Sequence, residues 1–199
     1  MRSYTEAYEY DAVGNFEKLI HQAANGNWTR SYTYDEDSLT EPTTLAQPAK
    51  KSNRLSSTTI GNGVPEPDTY DAHGNMMRMN HLPLMQWDYR DQLQATAQQV
   101  INNGVPETTW YVYDASGQRV RKVTESAVTA QDTANGKKPK RMKERIYLGG
   151  FEVYREYEND GETVKLERET LHIMDDKQRI ALVETKSVDN DNAINSPTI

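Results

Sequence analysis

The chain has 199 residues, of which 35% are hydrophobic and 27% charged, and its 30 acidic against 23 basic side chains give a net charge of −7 at pH 7. That balance excludes a general nucleic-acid binder, which needs a basic excess to displace counterions from phosphates, and the absence of cysteine excludes disulfides and thiolate metal sites. No stretch is long and apolar enough to span a bilayer, and Met1 to Glu6 lacks the apolar segment of a signal peptide.

Taken in chain order, the alternating pattern predicts strand after strand. They fall at Ser3 to Asp11, Phe16 to Gln22, Trp28 to Tyr34, Arg54 to Ile60, Met76 to His81, Met85 to Arg90, Leu93 to Ile101, Thr108 to Asp114, Arg119 to Ser126, Arg145 to Leu148, Phe151 to Glu158, Thr163 to Met174 and Arg179 to Thr185. Asn25-Gly26-Asn27, Asn102-Asn103-Gly104 and Asn159-Asp160-Gly161 carry residues that tolerate left-handed backbone between alternating segments, so each predicts a hairpin turn. Asp35 to Ser52, with Pro42 and Pro48, and Ala127 to Lys143, with the basic run Lys137 to Arg141, read as loops. Around Asp160, the apolar residues Val153, Tyr154, Tyr157, Val164, Leu166, Leu171 and Ile173 alternate with Glu, Lys and Arg, a pattern for strands with one face in water. Residues 1–186 form one repeat region and residues 187–199 a polar tail, read as a truncated continuation of a longer chain.

Three stretches are nearly the same: Tyr8 to Asn15, Thr69 to Asn75 and Tyr111 to Gln118. In Tyr-x-Tyr the period of a strand sets both rings on one face, and the following Asp accepts hydrogen bonds from amides two residues on, which starts a turn. Gly14, Gly74 and Gly117, three residues after Asp11, Asp71 and Asp114, supply the positive φ that returns the chain antiparallel. Tyr8, Tyr10, Tyr70, Tyr111 and Tyr113 then pack between strands. Looser corners are expected at Tyr32 to Asp35, at Trp87 to Leu93 and at His172 to Ile180, where the pattern is degenerate.

These units, with the ordered series His81 to Leu93, Tyr113 to Lys122, Arg145 to Tyr154 and Met174 to Ala181, resemble the YD repeats of the Rhs family. They are similar to the Rhs part of bacterial insecticidal toxin complex (Tc) proteins, including those with a Salmonella virulence plasmid-type B domain. The resemblance runs to about Lys186. It implies an all-β fold in which antiparallel YD-repeat hairpins form an arc of a spiralling Rhs-type shell, and a structural role with no catalytic residues. The implied partners are the rest of the shell, other Tc toxin subunits and an enclosed toxin polypeptide; the implied location is secreted or extracellular as part of a larger toxin. The Rhs core motif with its self-cleaving aspartates has no counterpart before Ile199.

Sharper chemical readings are weaker. Asp11, Asp71 and Asp114 could be read as catalytic carboxylates, but their identical place in each unit favours turn capping. His21, His73, His81 and His172 are scattered, so no metal ligand or cofactor is assigned, and Asp189 to Asn192 lacks the Gly and Glu of a calcium loop. Trp28, Trp87 and Trp110, with the tyrosines, support one alternative function, a cell-surface carbohydrate-binding module.

Overall fold

The computed structural model describes residues 3–41, 50–98, 100 and 104–191. Among them are fifteen strands and one short helix, arranged in two units, Met1–Pro83 and Leu84–Ile199. The fold is all-β and every strand pair is antiparallel.

In the first unit, β1 (Tyr4–Tyr10), β2 (Phe16–Ala23), β3 (Trp28–Thr33), β4 (Ser57–Ile60) and β5 (Glu66–Pro67) form an open sheet in that order, and β6 (Thr69–Tyr70) pairs with β7 (Met76–Arg78). Sequence patterning did not anticipate β5, because Pro67 cannot donate to a ladder. Its place at the sheet edge removes the objection, since one side of an edge strand needs no partner. The strand expected to reach His81 stops at Arg78, and an isolated Met79–Leu82 bridge follows. Within the loop expected from Asp35 to Ser52, Asp37 bridges Lys51, whose Nζ lies 2.9 Å from the Asp37 carboxylate; residues 42–49 lie outside the described residues.

The second unit is one eight-stranded meander: β8 (Leu84–Trp87), β9 (Leu93–Ala97), β10 (Thr108–Tyr113), β11 (Arg119–Glu125), β12 (Arg141–Leu148), β13 (Phe151–Tyr157), β14 (Val164–Asp175) and β15 (Gln178–Asp189). The expected turn at Asn102-Asn103 lies outside the described residues, between the paired strands β9 and β10. Ala127 to Lys143 is not all loop. It holds α1 (Ala130–Ala134), whose Thr129 and Asp132 satisfy each other's backbone amides in a capping box, and its last residues begin β12. β15 carries the ladder to Asp189, so the polar composition after Lys186 did not end the strand.

Burial is thin. Met85, Ala95, Ala97 and Val123, with Thr96, Glu144 and Thr170, are the buried side chains among the described residues, and all lie in the eight-stranded sheet; Gly161, in the turn after β13, is buried as well. β1 is exposed along its whole length. A chain with twelve tyrosines and two phenylalanines builds sheets whose rings keep a polar end in water, so hydrogen-bonded ladders and cross-strand pairs hold it more than a dry core does.

Candidate functional site

The repeated corners share one geometry. The Asp11 amide donates to the Asn15 carbonyl at 2.9 Å and the Gly14 amide to the Asp11 carbonyl at 3.2 Å, while Asp11 Oδ1 accepts the Val13 and Asn15 amides at 2.9 and 2.8 Å. Asp71 repeats this with His73, Gly74 and Asn75, and Asp114 with Ser116, Gly117 and Gln118. Gly14, Gly74 and Gly117 have φ of 93°, 89° and 85°, and each corner follows a register shift in the strand before it.

The Trp87 to Leu93 copy corrects the expectation of a looser turn. Asp88 Oδ1 accepts the Arg90 and Gln92 amides at 2.8 and 3.0 Å, and Asp91, at φ 58°, stands where the other copies have Gly. Aspartate is among the few residues that tolerate this region, so the corner keeps its form without glycine. His172 to Ile180 is also tight: Asp175 pairs with Gln178 across two residues. Tyr32 to Asp35 does not return directly, and the next strand, β4, begins at Ser57.

These hydrogen bonds shift the carboxyls. Burial pushes Asp11 and Asp71 up, but the amides of Asn15 and Asn75 with their neighbours outweigh it and hold both below the ordinary range. The Ser116 hydroxyl and the Gln118 amide lower Asp114, and the Thr163 hydroxyl with the amides of Glu162 and Thr163 takes Asp160 down to about 2. Groups with depressed folded values contribute stability that is present above the ordinary aspartate value of about 4 and lost as pH falls through the folded value. The urea midpoint is therefore expected to drop between about pH 4 and pH 2, and Asp160→Asn to flatten that drop; a midpoint constant over this window would contradict it.

Tyrosines differ by position. The Tyr113 hydroxyl donates to the Leu93 carbonyl at 2.9 Å, tying the end of β10 to the start of β9, and the Tyr70 hydroxyl donates to the Leu55 carbonyl at 2.7 Å, tying the end of β6 to the segment before β4. Tyr113→Phe is expected to lower stability by about 1 kcal/mol, read from urea unfolding. Tyr111 shares a 3.1 Å hydrogen bond with Thr96, Tyr8 donates to Glu6 at 2.7 Å, and Tyr10 packs on Phe16. Tyr111, Tyr113 and Asp114 meet Asp88 in an open cleft of about 390 Å³ between two neighbouring corners. In the first unit Asn15 reaches Asn53 at 3.2 Å and Arg54 lies over the Tyr70 ring, so both corners flank the segment before β4.

Sequence reasoning missed a charged network. Glu144, 4% exposed, accepts hydrogen bonds from Arg121 Nε at 2.5 Å and from the Tyr157 hydroxyl, with Arg155 at 3.9 Å. Arg155 also holds Glu167 at 2.6 Å, and Ser187 donates to Glu167. Burial pushes the Glu144 carboxyl up, but Tyr157 and Arg121 outweigh it and hold it below the ordinary range. The expected water-facing pattern of β13 and β14 is thereby corrected: β13 is half-buried at every position because its charges pair across strands. The signal lay in Arg121, Glu144, Arg155 and Glu167, whose signs alternate from strand to strand, which no single-strand pattern reveals.

Several rings carry an arginine over one face, while Tyr4, Tyr10 and Tyr89 are exposed. Arg119 covers Tyr111 and Tyr147, Arg145 and Arg168 cover Tyr154, and Arg141 covers Tyr157, while Trp28 stacks on His21 with planes 10° apart. Among the described residues no group of His, Asp and Glu is placed to hold a metal ion, and no helix is long and apolar enough to cross a membrane.

Consecutive antiparallel strands turned by Asp-capped corners, with tyrosine hydroxyls donating to carbonyls at Leu93 and Leu55, are the arrangement that the resemblance to YD repeats implies. The chain is similar in sequence to a toxin subunit and in fold to two solved structures. Toxin subunit YenC1 of Yersinia entomophaga is 26% identical over 151 residues, which are 75% of this chain and 13% of that protein. The crystal structure of TcdB2-TccC3-TEV matches 97% of this chain and 8% of its own with a TM-score of 0.65 and 17% identity. That of TcdB2-TccC3 without its hypervariable C-terminal region matches the same shares at 0.64 and 17%. No family model matches the chain.

Proposed function

We propose that this chain is a non-catalytic structural segment of a toxin-encapsulating Rhs/YD-repeat shell of the Tc type. The observation that carries this reading is the run of consecutive antiparallel strands, turned by the same Asp-capped corner four times and almost without a buried core, which is suited to a wall shared along an array. The chain spans 13% of the curated relative it matches, so the remaining shell, the sister Tc subunits and the enclosed polypeptide are its partners under this proposal, and a secreted toxin its setting. Residues 1–186 act as the repeat region, with Tyr8, Tyr10, Asp11, Gly14, Tyr70, Asp71, Gly74, Tyr111, Tyr113, Asp114 and Gly117 shaping its corners.

The test exchanges the matched segment of toxin subunit YenC1 for this chain. Electron microscopy and limited proteolysis of the exchanged subunit are expected to give the same particle and the same protected fragments as the unaltered subunit. A well-folded exchanged subunit that forms a different particle would refute the proposal.

A further inference from the structure

The sequence holds Asn-Gly at residues 25–26, 62–63, 103–104 and 135–136, and Asn103 lies outside the described residues. In such a pair the glycine nitrogen can close on the asparagine side chain, because no Cβ obstructs the approach. Asn25, Asn62 and Asn135 are all exposed, so access to water does not distinguish them. The attacking nitrogen does. The Gly63 amide donates to the Ile60 carbonyl at 3.0 Å, and the Gly136 amide donates to the Thr133 carbonyl at 2.9 Å. Asn135 is held as well, its amide shared between the Gln131 and Asp132 carbonyls at 3.1 Å. At both sites the reaction must wait for a local opening that frees the nitrogen.

Gly26 is different. It sits in the turn between β2 and β3 at φ 91°, with nothing within 4 Å of the place a Cβ would occupy. That turn is fastened one residue further on, where the Ala23 amide donates to Asn27 Oδ1 at 2.8 Å. Neither the Gly26 amide nor the Asn25 side chain has a hydrogen-bond partner among the described residues. We propose that Asn25 is a site of spontaneous covalent modification, converted in the folded chain to aspartate and isoaspartate through a succinimide formed with Gly26. The Gly26 nitrogen bonds to Asn25 Cγ, the Cγ–Nδ2 bond breaks, and Nδ2 leaves as ammonia with the proton that the Gly26 amide gives up. Water then opens the ring. Attack at Cγ gives aspartate, and attack at the former backbone carbonyl gives isoaspartate, which lengthens the main chain of the turn by one carbon. Either product replaces a neutral amide with a carboxylate. Asp160-Gly161, the acid counterpart of this pair, is closed to the same chemistry. Its glycine amide donates to the Glu158 carbonyl at 2.9 Å, and the Thr163 hydroxyl with the amides of Glu162 and Thr163 keeps the carboxyl ionised.

The test is peptide mapping by mass spectrometry of the full chain aged in mildly alkaline buffer, with enzymatic methylation to mark isoaspartate. Asn25 is expected to convert about five-fold faster than Asn62 and Asn135, the rate equivalent of the one net hydrogen bond that must open at each of those sites. In concentrated urea every amide is released, so the three rates are expected to converge. Asn25→Gln is expected to remove the fast reaction and leave the slow ones unchanged. Equal rates in the folded chain would overturn the proposal, as would a fast reaction that survives Asn25→Gln. A preference for Asn25 that persists in urea would overturn it too, because it would then come from the adjacent residues and not from the folded turn.

Discussion

Glu144→Ala is expected to lower the unfolding free energy of the eight-stranded unit by about 3 kcal/mol, at the low end of the range for removing one partner of a buried charge pair. The low end applies because the Arg121 and Arg155 side chains keep 42% and 32% of their surface in water and can be partly resolvated. Tyr157 loses its acceptor as well. Arg121→Ala is expected to act less, by about 1 kcal/mol, since Glu144 then keeps Tyr157 and Arg155. The measurement is the urea midpoint followed by tryptophan fluorescence, and equal midpoints for wild type and Glu144→Ala would show that the network contributes nothing. Because Glu144 is held below the ordinary glutamate range, its contribution is present above that range and fades as pH falls through its depressed value, so the difference between wild type and Glu144→Ala shrinks in acid.

Gly161→Ala is expected to cost about 2 to 4 kcal/mol, the sum of a left-handed backbone penalty and overpacking. Gly161 has φ 77°, and an added Cβ would stand 2.8 Å from Lys140 Cβ and 3.0 Å from the Arg141 amide nitrogen at the start of β12. The β13–β14 turn would have to move away from the start of β12, where the Gly161 carbonyl accepts Arg141 Nε at 3.1 Å. Gly149→Ala is the control: its φ is 67°, but nothing lies within 4 Å of the added atom, so about 1 to 2 kcal/mol is expected from backbone strain alone. Similar losses at the two sites would show that crowding at Gly161 is not what matters.

The two sites differ in how far sequence reveals them. Asn159-Asp160-Gly161 announces a turn because its residues favour left-handed backbone, and the same local rule locates Gly14, Gly74 and Gly117. The close approach of Gly161 to Lys140 has no local sign, since twenty residues and the whole of β12 and β13 intervene. Glu144 likewise looks like one more charge on an alternating strand until its register with Val123 and Arg155 is known. Asp91 hid a well-formed corner because the rule was written for glycine, while the short helix at Ala130–Ala134 hid inside polar composition even though Thr129 and Asp132 carry its cap. Local turn chemistry is written in consecutive residues; cross-strand chemistry is written in a register that emerges only when the ladders form.

From β8 to β15 each strand hydrogen-bonds to the strands next to it in sequence. Folding of this unit therefore closes short loops one after another, and the chain is expected to assemble without waiting for distant ends to meet. Mechanical load has the converse effect. A pull at Asp189 directed across the strands is expected to open the β14–β15 ladder one bond pair at a time from that end, since Asp189 is the last residue of its register.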